Sequence, residues 1–126
     1  MSINSITTSQ AGGYQAGFVG GFLALGAPLA AAPTGSDETD AAQLEFGFTV
    51  VTGADGTKGV ILPAANPGAW LAVYSATATN GLKIYPASGE SINGGTADVA
   101  ITIEGKTLAL FAATATGNWA AMFTAN

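Results

Sequence analysis

Eight carboxylates and three lysines carry all the side-chain charge of this chain, which has no His, no Cys and no Arg. That set removes most reaction chemistries. A Ser-His-Asp or Cys-His nucleophile lacks its base. A His/Cys zinc centre lacks its ligands, and a bidentate clamp for phosphate lacks its guanidinium. Paired carboxylates remain, as in glycosidases, where two carboxyls stand about 5 to 10 Å apart. The aromatics that could stack on a sugar are Trp70, Trp119, Tyr74 and Tyr85. No cationic group beyond three scattered lysines could help to hold its hydroxyls. A chain this rich in Ala and Gly needs bulk inside, so one or both Trp residues are expected in the core. Asp37, Glu38 and Asp40 crowd together, but their spacing lacks the glycine and closing Glu of a calcium loop. The Gly-containing run before them lacks the Lys-Ser/Thr ending of a phosphate loop. The expectation is no catalytic, cofactor-binding or metal-ligating residue, and no enzyme.

The elements around these residues point the same way. Of 126 residues only 9% are charged, against about a quarter in ordinary soluble domains, and the net charge is -5. Nucleic acid is not an expected partner, because three lysines make no basic stripe. Nor is a small-molecule substrate. Nearly half of the residues (48%) are hydrophobic. A sparsely charged, fairly apolar surface tends to associate. The composition therefore suggests surfaces that are covered in an oligomer or lattice. Without Cys, packing or assembly must stabilise the fold.

Residues 1–43 read as an apolar N-terminal arm and linker, and residues 44–126 as a β domain. No charge occurs before Asp37. The arm offers Tyr14, Phe18, Phe22, Leu23 and Leu25 for burial, without a regular period, and these are the candidate assembly contacts. Its apolar stretch, residues 17–32, is shorter than the roughly 20 residues of a membrane span and lacks basic flanks. It also lacks the basic start of a secretion signal. An extended, mostly non-helical arm lying on a protein surface is expected, with no membrane partner. Residues 33–40 read as an exposed loop.

From residue 44 onward short apolar runs alternate with turn signals. Runs at 44–51, 58–62, 70–76, 82–85, 98–103, 107–113 and 119–124 read as strands. Asp55-Gly56 and Asn80-Gly81 are hairpin signals, and Pro67-Gly68, Glu104-Gly105 and Thr116-Gly117 mark further turns. About seven strands with such spacing predict an all-β fold, an antiparallel β-sandwich or a jelly-roll-like barrel.

Residues 59–119 carry a recognisable order of pieces. A strand ends in Leu62-Pro63, and the Pro67-Gly68 turn precedes an apolar strand. The run at 82–89 and the Ile92-Asn93-Gly94 loop follow. A Gly105-Lys106 turn comes next, and Gly117 with Trp119 closes the stretch. In this order the segment resembles a β-rich module of structural proteins in tailed-bacteriophage virions. The resemblance implies a non-enzymatic virion protein, first of all a capsid decoration (cement) protein. Such a protein binds the major capsid protein on the outer surface of the shell, and a homotrimer is the favoured assembly. It is made in the host cytoplasm. Two alternatives stay open: a tail-fibre, spike or head-fibre module that binds a host receptor, and a secreted carbohydrate-binding β-sandwich.

Overall fold

The computed structural model describes residues 29–123, which form ten strands and no helix. In chain order these are β1 (Leu29–Ala31), β2 (Ala42–Gln43), β3 (Gly47–Val51), β4 (Gly59–Ile61) and β5 (Trp70–Ser75). Then come β6 (Leu82–Tyr85), β7 (Ser91–Ile92), β8 (Ile101–Ile103), β9 (Thr107–Ala115) and β10 (Asn118–Phe123). A major sheet has the order β1-β3-β5-β9-β10-β7, and a minor sheet the order β2-β4-β6-β8.

The expected antiparallel sandwich or jelly-roll barrel is not what forms. The chain winds as a β-solenoid of stacked coils. Strands β1, β3 and β5 pair in parallel, and so do β2, β4 and β6. Each coil lays one strand in the major sheet, turns a corner, and lays the next strand in the minor sheet. Ala30, Val50 and Tyr74 stand side by side, so successive coils are 20 and 24 residues long. Beyond the third coil the chain reverses. Strand β8 runs antiparallel to β6, β9 antiparallel to β5, and β10 folds back on β9 through Gly117 at φ 81°. The stack extends back to β1 and β2, before residue 44.

The turn signals lie where the sequence places them, but most join strands of different sheets. Asp55-Gly56 connects β3 to β4, and Asn80-Gly81 connects β5 to β6. These corners stack on each other. Gly56 N–H donates to the Gly81 carbonyl at 3.1 Å, and Asn80 Nδ2 donates to the Ala54 carbonyl at 3.2 Å. Ala54 N–H donates to Thr77 Oγ1 at 3.0 Å. Gly105 tucks under the same column. A Cβ there would collide with the Thr77 carbonyl oxygen, which explains a residue without a side chain.

Side chains inside the coils form columns along the stack. Ala42, Val60, Ile84 and Ile101 align on the minor sheet. Thr49, Val73 and Ala109 align on the major sheet. The core closes at its C-terminal end around Trp119, which has no exposed surface. Its Nε1–H donates to the Pro63 carbonyl at 3.1 Å, and Phe111 meets it edge-on at 6.5 Å. Trp119 is thus the core anchor that the composition demanded, whereas Trp70 is 49% exposed.

Candidate functional site

The carboxylates are the natural place to look for chemistry, and the structure uses most of them to build loops. Asp40 Oδ1 accepts from Ser36 N–H at 2.8 Å and Asp37 N–H at 3.1 Å. Asp37 Oδ1 accepts from the Thr39 amide and hydroxyl. Asp55 Oδ1 accepts from the amides of Thr57 and Lys58, and Glu90 Oε1 accepts from Ala65 N–H at 2.9 Å. Asp98 Oδ1 accepts from Gly89 N–H. At Asp37 and Asp55 the bonds favour the ionised form. The Thr39 hydroxyl, more than any other group, holds the Asp37 carboxyl below its ordinary range. The Thr57 amide, with its hydroxyl and Lys58, holds Asp55 at about 2. A general acid near neutral pH needs a shift upward instead. Among the described residues no group of three or more potential ligands could hold a metal ion. No helix among them is long and apolar enough to cross a membrane.

The aromatics proposed for a sugar platform are dispersed. Trp119 lies in the core and Tyr85 is buried on the minor sheet, while Trp70 and Tyr74 point outward from β5. The candidate assembly contacts Tyr14, Phe18, Phe22, Leu23 and Leu25 lie outside the described residues.

The most unusual surface is the outer face of the major sheet. In β5 and β9 every second residue is buried: Leu71, Val73 and Ser75 in one, Thr107, Ala109, Phe111 and Ala113 in the other. The residues between them point outward. Register places these in three rows. Ala30, Val50, Tyr74 and Leu108 form one row. Phe48, Ala72, Leu110 and Met122 form the second. Trp70, Ala112 and Ala120 form the third. No position in the three rows carries a charge. Polar groups gather at the rim, where Ser91 Oγ donates to Asn118 Oδ1 at 3.0 Å and Asn118 Nδ2 donates to Thr114 Oγ1 at 2.9 Å.

The outer face of the minor sheet differs. Gln43, Lys83 and Thr102 point outward there. Residues 33–40 fold over it. Thr34 and Gly59 exchange two backbone hydrogen bonds, and Tyr85 Oη donates to the Ser36 carbonyl at 2.6 Å. Desolvation, helped by Asp37, Glu38 and Asp40, raises the Tyr85 phenol above its usual 10.0. The loop at 33–40 is largely exposed, as expected, and these bonds pin it to the sheet.

Sequence reasoning missed the apolar outer face. Its signal was present. In strand 107–115 every position is apolar or Thr, a run without polar alternation that marks a strand covered on both sides. In strand 47–51 the alternation misleads. Phe48 and Val50 point outward, while Thr49 and Val51 are buried. Searches against protein-family models, curated protein sequences and solved structures give no match to this chain.

Proposed function

We propose that this chain is a non-enzymatic structural protein of a tailed-phage virion, a capsid decoration (cement) protein that binds and stabilises the head shell from outside. The observation that carries this reading is the uncharged outer face of the major sheet, continuous across five strands. Trp70 and Met122 stand exposed on it and most of the other side chains in the three rows are half-buried, and a contiguous apolar face of this kind marks an interaction site. The resemblance of residues 59–119 to virion β modules supports the same class. In this reading the major capsid protein is the partner, a homotrimer is the working assembly, and the apolar residues of the N-terminal arm take part in the contacts. The solenoid body supplies a stiff platform, because neighbouring coils are joined by parallel hydrogen-bonded ladders.

The test is a side-chain-resolution reconstruction of particles that contain this chain. The expected result is many copies at regular positions over the shell. A few copies at one vertex would overturn decoration in favour of a fibre or spike, and exclusion from the particle would overturn the virion reading altogether.

A further inference from the structure

We infer that Asn80 is a site of spontaneous deamidation in the folded chain and that Asn93 is protected from it. This goes beyond the virion reading and rests on other residues.

Three Asx-Gly pairs occur in the chain: Asp55-Gly56, Asn80-Gly81 and Asn93-Gly94. Such pairs can react with themselves, because glycine has no side chain to shield its amide nitrogen. The glycine nitrogen gives up its proton to a solvent base and attacks the side-chain Cγ of the residue before it. In asparagine the bond from Cγ to Nδ2 then breaks, and the nitrogen leaves as ammonia after taking a proton from water. Water opens the resulting cyclic imide at either carbonyl. One opening gives aspartate, and the other gives isoaspartate, in which the main chain runs through the side chain. No group is oxidised or reduced, and water is the only co-reactant.

Sequence does not separate the two asparagines. Thr79 and Ile92 precede them, both β-branched, and both asparagines are exposed. Hydrogen bonding does separate them. Gly94 N–H donates to Asn118 Oδ1 at 2.9 Å, so the attacking nitrogen is already engaged. The Asn93 side chain is held as well, because its Oδ1 accepts from Ala121 N–H at 2.8 Å. At the aspartate pair, Gly56 N–H donates to the Gly81 carbonyl at 3.1 Å. The Asp55 carboxyl, held at about 2, also stays ionised at neutral pH and resists attack. Gly81 differs. Its N–H makes no hydrogen bond among the described residues. The bond from Asn80 Nδ2 to the Ala54 carbonyl, 3.2 Å long, engages the departing nitrogen and not Cγ.

Packing keeps the vulnerable pair in place. A Cβ at residue 81 would stand 2.9 Å from Thr102 Cγ2, so the position excludes the larger residues that would slow attack. The product has consequences for the corner. A carboxylate at residue 80 cannot donate to the Ala54 carbonyl, and it adds negative charge to the column that already holds Asp55. Isoaspartate also lengthens the main chain where the corners stack. Deamidation therefore loosens the stacked corners.

The lysines make the test simple. Cleavage after Lys58, Lys83 and Lys106 places Asn80 in peptide 59–83 and Asn93 in peptide 84–106. Asn66 shares the first peptide but precedes Pro67, whose nitrogen has no proton to lose. The full chain is incubated folded at mildly alkaline pH, digested, and read by peptide mass and retention. Peptide 59–83 should convert about tenfold faster than 84–106, the order expected when one or two hydrogen bonds must open before attack. Equal rates, or a faster 84–106, would overturn the inference. In concentrated urea the two rates should come within about twofold, since only the similar β-branched neighbours remain. A gap that persists in urea would assign the difference to local sequence and also overturn it. Asn118→Ala removes the acceptor of Gly94 N–H and should speed conversion at Asn93 several-fold; an unchanged rate counts against protection by that bond. None of these measurements involves a capsid, so failure here and failure of the virion reading are separate results.

Discussion

The outer faces of the two sheets are built on the same core and end differently. The minor sheet shows Gln43, Lys83 and Thr102 to the outside, and a loop pinned by Tyr85 and Gly59 lies against one part of it. The major sheet shows aromatic and aliphatic side chains in register across five strands, with no charge among them. Inward positions of both sheets obey one requirement, which is to fill the coils. Outward positions are free to differ. What they carry therefore reports on what each face meets. The minor sheet meets its own loop and water, and the major sheet presents an uncharged, apolar face.

The largest effect should come from breaking what both faces share. Trp119→Ala removes the core anchor, its Pro63 hydrogen bond and its edge contact with Phe111. A loss of about 3–5 kcal/mol is expected in chemical denaturation. Both sheets should loosen in one transition, because one core joins them. Separate transitions would divide the two faces into independent units.

The same charge on each face sharpens the contrast. Leu110→Glu puts a carboxylate in the middle row of the major sheet and should cost about 1–3 kcal/mol if that face is covered. Thr102→Glu, on the exposed outside of the minor sheet, should stay within about 0.5 kcal/mol. Equal thermal shifts would erase the distinction between the faces.

A smaller loss is expected for Tyr85→Phe. The ring stays and only the bond to the Ser36 carbonyl goes, at about 1 kcal/mol. Proteolysis within residues 33–40 should quicken, because the loop loses its pin.

The smallest effect is one of pH. Burial raises the Tyr85 phenol above 10.0 in the folded chain. Below pH 10 both states keep the proton and the contribution is complete. As pH rises further, the unfolded chain loses its proton first, so stability falls until the raised folded value is passed. The difference in denaturation midpoint between wild type and Tyr85→Phe should therefore shrink above pH 10. A difference that stays constant would remove Tyr85 from the account of the minor face.

Much of the local structure was legible. The run at 82–85 coincides with β6, and those at 70–76, 107–113 and 119–124 overlap β5, β9 and β10 closely. Turn residues appear where the chain changes direction. Their partners were not legible. Asp55-Gly56 permits a tight reversal in a hairpin and a tight corner in a coil alike, since both need one residue at positive φ, here Gly56 at 87°. The coils also hid as repeats. Their lengths differ, and their core columns share only apolar character, as in Ala42, Val60 and Ile84. The short strands β1, β2 and β7 carry too few residues for a pattern, and they exist because a neighbouring strand offers an edge.

By itself, then, the sequence determined where strands and corners fall and which reactions its side chains cannot perform. Those properties follow from local backbone preference and from side-chain chemistry, and neither depends on distant partners. Only the tertiary structure decided that the strands stack in parallel coils and that Phe48 and Val50 point outward while Thr49 and Val51 point inward. A one-residue change of register sends every side chain of a strand to the opposite face. The choice is therefore made by the burial of the whole stack and not by the strand's own residues.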